Sequence, residues 1–384
     1  MPNVHSRYPA SASARWINCP GSIRLSDLCQ TEDKGSTYAE EGTVAHEAAE
    51  IKIRIATDKT VKADALKKVM KSEYWDGEMD EATDYYRDVV LEHYNAAGMG
   101  AELMIEQRVD YSDYAPHGFG TSDAVIVNDD TIEVIDLKYG KGIRVSAQGN
   151  PQMRLYALGA LEIFGDLYDF QNVRYTIIQP RLDHVSAEEI TVEELVAWGN
   201  NVVKPAAEAA AKPDAPIRAG EHCRWCPAKA ICRERAEANL ALARYDFKKG
   251  DLLGDEEISD ILTRADELAR WVSDIQEYAL TQAMDGKAYD GWKLVEGRSV
   301  RKYADELKVS ETLQKAGYDE AMLYERKLLG ITAMEKLVGK KKLTETLGDL
   351  IIKPAGKPVL VPASDKRDAI NTAAGAAADF KQEV

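Results

Sequence analysis

The stretch Gly118-Phe119-Gly120-Thr121-Ser122-Asp123 continues through an apolar segment to Val127 and an Asn128-Asp129-Asp130 turn. It then runs Thr131-Ile132-Glu133-Val134-Ile135-Asp136-Leu137-Lys138. Two short β-branched runs joined by a polar turn predict a β-hairpin. Asp123 is expected to open its first strand. Asp136 and Lys138, two residues apart and so on one face, are expected to close the second. In an antiparallel pair the start of one strand lies beside the end of the next. The hairpin should therefore gather Asp123, Asp136 and Lys138 at one end of a sheet, where two carboxylates and an ammonium can hold a divalent metal and orient a water molecule. The plainer reading is a hairpin with solvated charged ends, so the flanking segments have to decide.

Upstream, Ala101 to Asp110 alternates as a strand and brings Glu106 into the sheet beside the hairpin. A charged residue at a strand centre calls for an ion pair or a metal. Glu40 to Ile55 reads as a helix, with Thr43 as its expected N-cap and His46 and Glu50 on one face. Residues 56 to 77 read as a polar connection and Glu78 to Asn95 as a second helix. Downstream of Lys138, a Gly-rich basic loop (Tyr139 to Gly149) leads to Asn150, the expected cap of a helix with Pro151 in its first position. That helix places Gln152 and Tyr156 on one face, with Leu155, Leu158 and Leu161 directed to a core. Asn172 to Gln179 is the next apolar strand, and Val192 to Ala211 a long Ala-rich helix.

The five cysteines are Cys19, Cys29, Cys223, Cys226 and Cys232. An odd count in a chain that reads as cytoplasmic argues against a disulfide framework. Three of them form Cys-x2-Cys-x5-Cys, which points to a metal. Thiolate sites want four ligands, and Cys19, between a short helix and the Pro20-Gly21 break, is the remote candidate. Zinc and an iron-sulfur cluster both satisfy that count; His222 is a poorer substitute for Cys19, and Cys29 reads as a small buried hydrophobe.

Across 384 residues, 45% hydrophobic and 30% charged, no apolar run is long enough for a membrane span and none resembles a signal peptide, so a cytoplasmic protein is expected. The formal net charge of -16 argues against broad attraction to nucleic acid or anionic lipid. Two stretches depart from it: Lys138, Lys141, Arg144 and Arg154 occur without an intervening acid, and Arg224, Lys229, Arg233 and Arg235 surround the cysteines. A locally basic channel in an acidic shell and random surface scatter are both compatible with this. From Ala236 the chain changes character. Asp255 to Met284 is a long helix, Gly291 to Val295 a short strand-like piece, and Ala304 to Lys315 and Gly330 to Val338 are helices. Lys340-Lys341-Lys342 reads as a solvated basic run, and the residues from Lys353 as a tail with little structure.

In order, these elements are Cys19, Gly-Thr-x-x-His ending at His46, Glu106, Asp123, Asp136-Leu137-Lys138, Gln152-x3-Tyr156 and the cysteine run. The order resembles the PD-(D/E)XK nuclease superfamily, in particular its RecB/AddB-type members with an iron-sulfur staple. The likeness spans about residues 11 to 236, and the chain as a whole resembles an uncharacterised family of phages and prophages. The resemblance implies an α/β fold: a restriction-endonuclease-like core with a mixed central sheet flanked by helices (1-236), a mainly helical accessory region (237-350) and a flexible tail (351-384). It implies a metal-dependent deoxyribonuclease of phage DNA recombination or replication, an exonuclease in the first instance, working in a bacterial host cell. A phage single-strand annealing or single-strand-binding protein would be a partner.

In that frame His46, Asp123, Asp136 and the Leu137 carbonyl would bind Mg²⁺ or Mn²⁺. Lys138 would orient the attacking water, Gln152 and Tyr156 would brace the site and contact DNA, and Glu106 is a secondary candidate. Cys19, Cys223, Cys226 and Cys232 would hold a [4Fe-4S] cluster, with structural Zn²⁺ as the alternative. Three departures stand out: the acidic total, the absence of a helicase P-loop, and a C-terminal third without counterpart in the nuclease pattern. An endonuclease of the same fold and a non-catalytic DNA-binding scaffold are the competing readings. A zinc-ribbon regulator is disfavoured, because it has no use for a complete Asp…Asp-x-Lys hairpin.

Overall fold

The structure is a computed structural model that describes residues 6–29, 37–58, 64–243, 254–293, 295, 305–317, 319, 323–324 and 330–351. The chain forms two compact units, Met1–Gln282 and Ala283–Val384. The first begins with helices α1 (Ser13–Asn18), α2 (Ser22–Leu28), α3 (Thr37–Thr57), α4 (Asp64–Val69) and α5 (Gly77–Ala96). Strands β1 (Glu102–Asp110), β2 (Phe119–Val127) and β3 (Thr131–Leu137) follow, then α6 (Pro151–Phe164), β4 (Asn172–Gln179) and β5 (His184–Thr191). The chain continues through α7 (Val192–Trp198), α8 (Lys204–Ala210), α9 (Arg233–Ala243) and α10 (Asp255–Met284).

The five strands form one sheet in the order β1-β2-β3-β4-β5. Only β3 and β4 run parallel, and the other neighbours are antiparallel. A parallel neighbour needs a crossover, and α6 supplies it. The expected mixed sheet flanked by helices is therefore present. One face is covered by α1, α6, α7 and α8, through Trp16, Met153, Leu155, Leu158, Leu195 and Ala207 against Val125, Val134, Tyr175 and Ile177. The other face is covered by α3 and α5, through Ala49, Ile53, Tyr86 and Val90 against Ala124, Ile126, Ile135 and Leu137. Burial on both faces explains why β3 reads as a nearly continuous apolar run.

Several local expectations are corrected. Asp123 sits in the middle of β2, because the strand starts at Phe119 and pairs with β1 on both sides of Asp123. Thr43 lies inside α3 and its hydroxyl donates to the Ala39 carbonyl, since the helix begins earlier, at Thr37. The segment 56–77 contains the short α4. The predicted helix from Val192 is interrupted by a wider π turn at Gly199–Val203. There Gly199 leaves room for Tyr114, whose ring would lie 2.5 Å from an added Cβ. The Asn150 cap is as expected: its side chain accepts from the Gln152 and Met153 amides.

In the second unit, α11 (Glu306–Lys315) is capped by Asp305, and α12 (Ile331–Val338) and α13 (Lys340–Leu347) follow. The strand-like Gly291 to Val295 lies partly, and the tail from Lys353 wholly, outside the described residues. Among the described residues no helix is long and apolar enough to cross a membrane.

Candidate metal centre

The sheet forks at its centre. The β2–β3 ladder begins only at Ala124↔Ile135, so β2 parts from β3 at Asp123 while staying paired with β1. The side chain of Asp123 fills the gap: its Oδ2 accepts from the Leu137 N–H at 2.6 Å, in place of the carbonyl a continued ladder would have offered. Leu137 thus enters the site through its amide. On β1, opposite Asp123, the rung is missing between Ile105↔Ala124 and Gln107↔Ser122, and the residue there is Glu106 with φ 52°.

The same rung changes the phase of both strands. Leu103 and Ile105 pack on the α3/α5 face, yet Val109 packs on the α6 face. On β2, Ala124 and Ile126 face α3/α5, whereas Gly120 lies against α6, with the Tyr156 ring 2.7 Å from where a Cβ would be. A left-handed conformation is costly for a residue with a side chain and, in the middle of a strand, is the kind of strain that marks functional sites. Here it turns a carboxylate toward the opening of the fork.

His46 reaches the fork from α3, its Nδ1 3.2 Å from Asp123 Oδ1. His46, Glu106 and Asp123 each present a ligand atom within 4.8 Å of the others, the separation a single cation needs. One helical turn beyond His46, Glu50 pairs with Arg54, which donates to the Ile105 carbonyl and so ties α3 to the strand that carries Glu106.

From the α6 side, Asp136 Oδ1 accepts from Lys138 Nζ at 3.2 Å and from Gln152 Nε2 at 3.1 Å. Lys138 also donates to Gln152 Oε1 at 3.0 Å, and Gln152 Nε2 lies 3.3 Å from the Tyr156 hydroxyl. Tyr156 is buried, so it braces Gln152 from beneath. Asp136 Oδ2 is buried and 2.9 Å from the Lys138 ammonium, but receives no directed hydrogen bond.

Burial pushes Asp136 up, only partly offset by Lys138. Burial draws Lys138 down, but the adjoining Asp136 carboxylate outweighs it and the net shift is upward. His46 behaves likewise, burial being overcome by Asp123. Glu106 is pushed up to about 7 by burial, then by the Asp123 and Glu50 charges. Crowded carboxylates that resist ionisation without a counter-charge, together with a buried oxygen short of a donor, fit a hard divalent cation.

Sequence reasoning passed over Tyr86. This α5 residue is fully buried and its hydroxyl has no hydrogen-bond partner among the described residues. The charges of Asp123, Asp136 and Glu106 all act on it, which places it beneath the fork. Its only sequence signal is its place in the heptad that carries Met79, Ala82 and Val90 inward.

The thiols are gathered in part. Cys19, Cys223 and Cys226 are buried. Cys19 Sγ accepts from the Arg218 amide at 3.3 Å, and the Gly21 amide donates to the Pro216 carbonyl, tying the N-terminal turn to the loop before Cys223. Burial raises Cys226, and its neighbours Cys223 and Cys19 add to the shift. His222 Nε2 lies 2.9 Å from the Arg218 carbonyl, and the nearby Cys19 raises its pKa against a smaller downward pull from burial. Cys232, at the start of α9, acts instead on Cys29, whose pKa rises mainly by burial.

Among the described residues no three cysteine sulfurs lie within 4.8 Å of one another. Tetrahedral zinc with bonds of about 2.3 Å would hold its sulfurs about 4 Å apart, so the arrangement is not a closed zinc cage.

Most of the cations expected to form a basic channel are spent on acids. Lys141 pairs with Glu78, Arg154 with Glu188, Lys229 with Asp274, and the buried Arg235 with Glu267 and Asp274 of α10.

The solved structure titled "Crystal structure of SSO0001" is 16% identical to this chain over 58% of its length and 96% of that chain's, with a TM-score of 0.23. The family model described as "Protein of unknown function (DUF2800)" matches residues 5–368. The chain belongs to that family.

Proposed function

We propose that the fork is the active site of a metal-dependent deoxyribonuclease with a PD-(D/E)XK-type arrangement, acting on phosphodiester bonds of DNA. The observation that carries this reading is the meeting, at one break in the sheet, of His46, Glu106 and Asp123 with the Asp136–Lys138 pair. His46, Glu106, Asp123 and Asp136 would hold Mg²⁺ or Mn²⁺, the imidazole tilting preference toward Mn²⁺. Such an ion lowers the pKa of bound water and stabilises charge on a phosphate under attack.

The chain's own groups do the rest. Lys138, held between Asp136 and Gln152, keeps its proton and offers it toward an attacking water or a phosphate oxygen. Gln152 fixes that ammonium, and Tyr156 fixes Gln152. Cys19, Cys223, Cys226 and Cys232 are proposed to take a [4Fe-4S] cluster as a clamp between the N-terminal turn and α9. Action from DNA ends, in phage recombination or replication and beside a single-strand annealing or binding protein, completes the proposal.

The test uses anaerobically purified protein on end-labelled linear and covalently closed circular DNA with Mn²⁺ or Mg²⁺, next to Lys138→Ala. Loss of linear DNA alone, abolished by the substitution, supports an exonuclease. Cutting of the circle makes it an endonuclease. Inert wild type that still binds DNA leaves the scaffold reading.

A further inference from the structure

The strand arm beyond the fork carries a feature that the metal centre does not use. Past the Glu106/Asp123 rung, β1 and β2 continue as a two-stranded arm from Gln107↔Ser122 to Asp110↔Phe119. Gly120 and Val109 turn to the α6 side, so Arg108, Asp110, Phe119 and Thr121 lie on the opposite face. Alternation places Asp123 on that face too, which is where His46 meets it. Arg108 and Phe119 are diagonal neighbours across this ladder, and the guanidinium carbon lies 4.3 Å from the ring centroid. Arg108 is exposed and Phe119 half-buried.

Arg54, Arg87, Arg154, Arg174, Arg181 and Arg235 all hold carboxylates. Arg108 makes no ion pair among the described residues, in a chain of formal net charge -16. Its neighbour Asp110 binds the Ser112 amide instead. An aromatic ring thus lies against an exposed guanidinium whose charge acts on the neighbouring Asp110 without forming an ion pair among the described residues. Guanidinium planes supported in this way are surfaces on which unpaired bases stack. Phe119 is four residues from Asp123, so at about 3.3 Å per residue the platform lies about 13 Å from the fork along one strand. A short span of single strand bridges that gap.

We propose that Arg108 and Phe119 form a base-stacking platform, so that the fork is fed by single-stranded DNA whose unpaired base rests on the Arg108 guanidinium while its backbone runs toward Asp123. This rests on the nuclease reading for the direction of the strand, but the platform is tested without catalysis.

Binding of fluorescein-labelled oligo(dT) and of a blunt duplex is measured by anisotropy in EDTA, for wild type, Arg108→Ala, Arg108→Lys and Phe119→Leu. Far-ultraviolet dichroism checks that each is folded. Stacking predicts that Arg108→Ala and Phe119→Leu lose about tenfold or more on the single strand and little on the duplex. Arg108→Lys should lose nearly as much as Arg108→Ala while keeping the wild-type salt slope; Arg108→Ala should lower that slope by about one. 2-Aminopurine in the oligonucleotide should be quenched by wild type and not by Arg108→Ala. Unchanged single-strand affinity in the variants, or equal loss on both DNAs, would overturn the platform. Separately, wild type is assayed with Mn²⁺ on bis(p-nitrophenyl) phosphate, a diester too small to reach Arg108. No hydrolysis there, with single-strand binding intact, would sink the nuclease reading and leave the platform standing.

Discussion

Glu106 is the residue whose conformation says most about the site. A left-handed backbone costs a residue with a side chain about 1–2 kcal/mol, and at φ 52° in mid-strand Glu106 bears that cost. Glycine is spared it. In metal-free protein Glu106→Gly should therefore match or exceed Glu106→Ala in stability, by about 1 kcal/mol in urea denaturation. A glycine variant clearly weaker than the alanine one would show that the backbone is not held left-handed. The sequence marked Glu106 as an anomaly, a charge at a strand centre, but could not give its φ, which depends on β1 following β2 past the point where β3 stops. Asp136, Lys138, Gln152 and Tyr156 were legible because each sits at a fixed offset from a strand end or the Asn150 cap; Asp123 was legible from the hairpin although it lies inside β2, and His46 only from its company in the motif order, since its expected cap Thr43 lies inside α3. Tyr86 was not, because nothing local distinguishes a phenol aimed beneath a site from one in a core.

At the scale of elements, the sheet is held to α5 by a polar contact that answers to pH. His93 Nδ1 lies 2.8 Å from Glu133 Oε1, which also accepts from Thr176 at 2.7 Å on the neighbouring strand. The hydrogen bond to Glu133 raises the His93 pKa, against a smaller downward pull from burial. A histidine whose folded pKa exceeds its unfolded value near 6.5 adds stability that is complete below that value. The contribution is lost as pH rises through the folded pKa. The stability difference between wild type and His93→Gln should thus be larger at pH 6 than at pH 8.5. Equal differences in urea midpoints at the two pH values would show that the pair does not couple to protonation.

Strands β1, β3 and β4 and helices α5 and α6 were readable from alternation, apolar runs and caps. β5 was missed although His184 to Thr191 alternates in burial, because its Glu188 and Glu189 look like a solvated loop. The structure uses them: Glu188 accepts from the Gly149 amide and pairs with Arg154, and Glu189 pairs with Arg174.

For the whole molecule, a cluster joining Cys19 to the turn near residue 223 would close a loop that restrains the unfolded chain by on the order of 5 kcal/mol. Cys223→Ser, prepared anaerobically with iron and sulfide, should melt well below wild type or fail to fold. A variant of normal melting temperature that holds no cluster would remove the clamp from the account. The acidic total charge also finds a physical reading: acids pair with Lys141, Arg154 and Arg174 around the sheet, while Arg108 on the arm makes no ion pair among the described residues.

The central claim is that the break in the sheet holds a divalent cation. Anomalous diffraction from crystals soaked in Mn²⁺ tests it most directly. A peak within coordination distance of His46, Glu106 and Asp123, absent in Asp123→Asn crystals, is the predicted result. Density confined to other surface carboxylates, with the fork empty at saturating Mn²⁺, would contradict it.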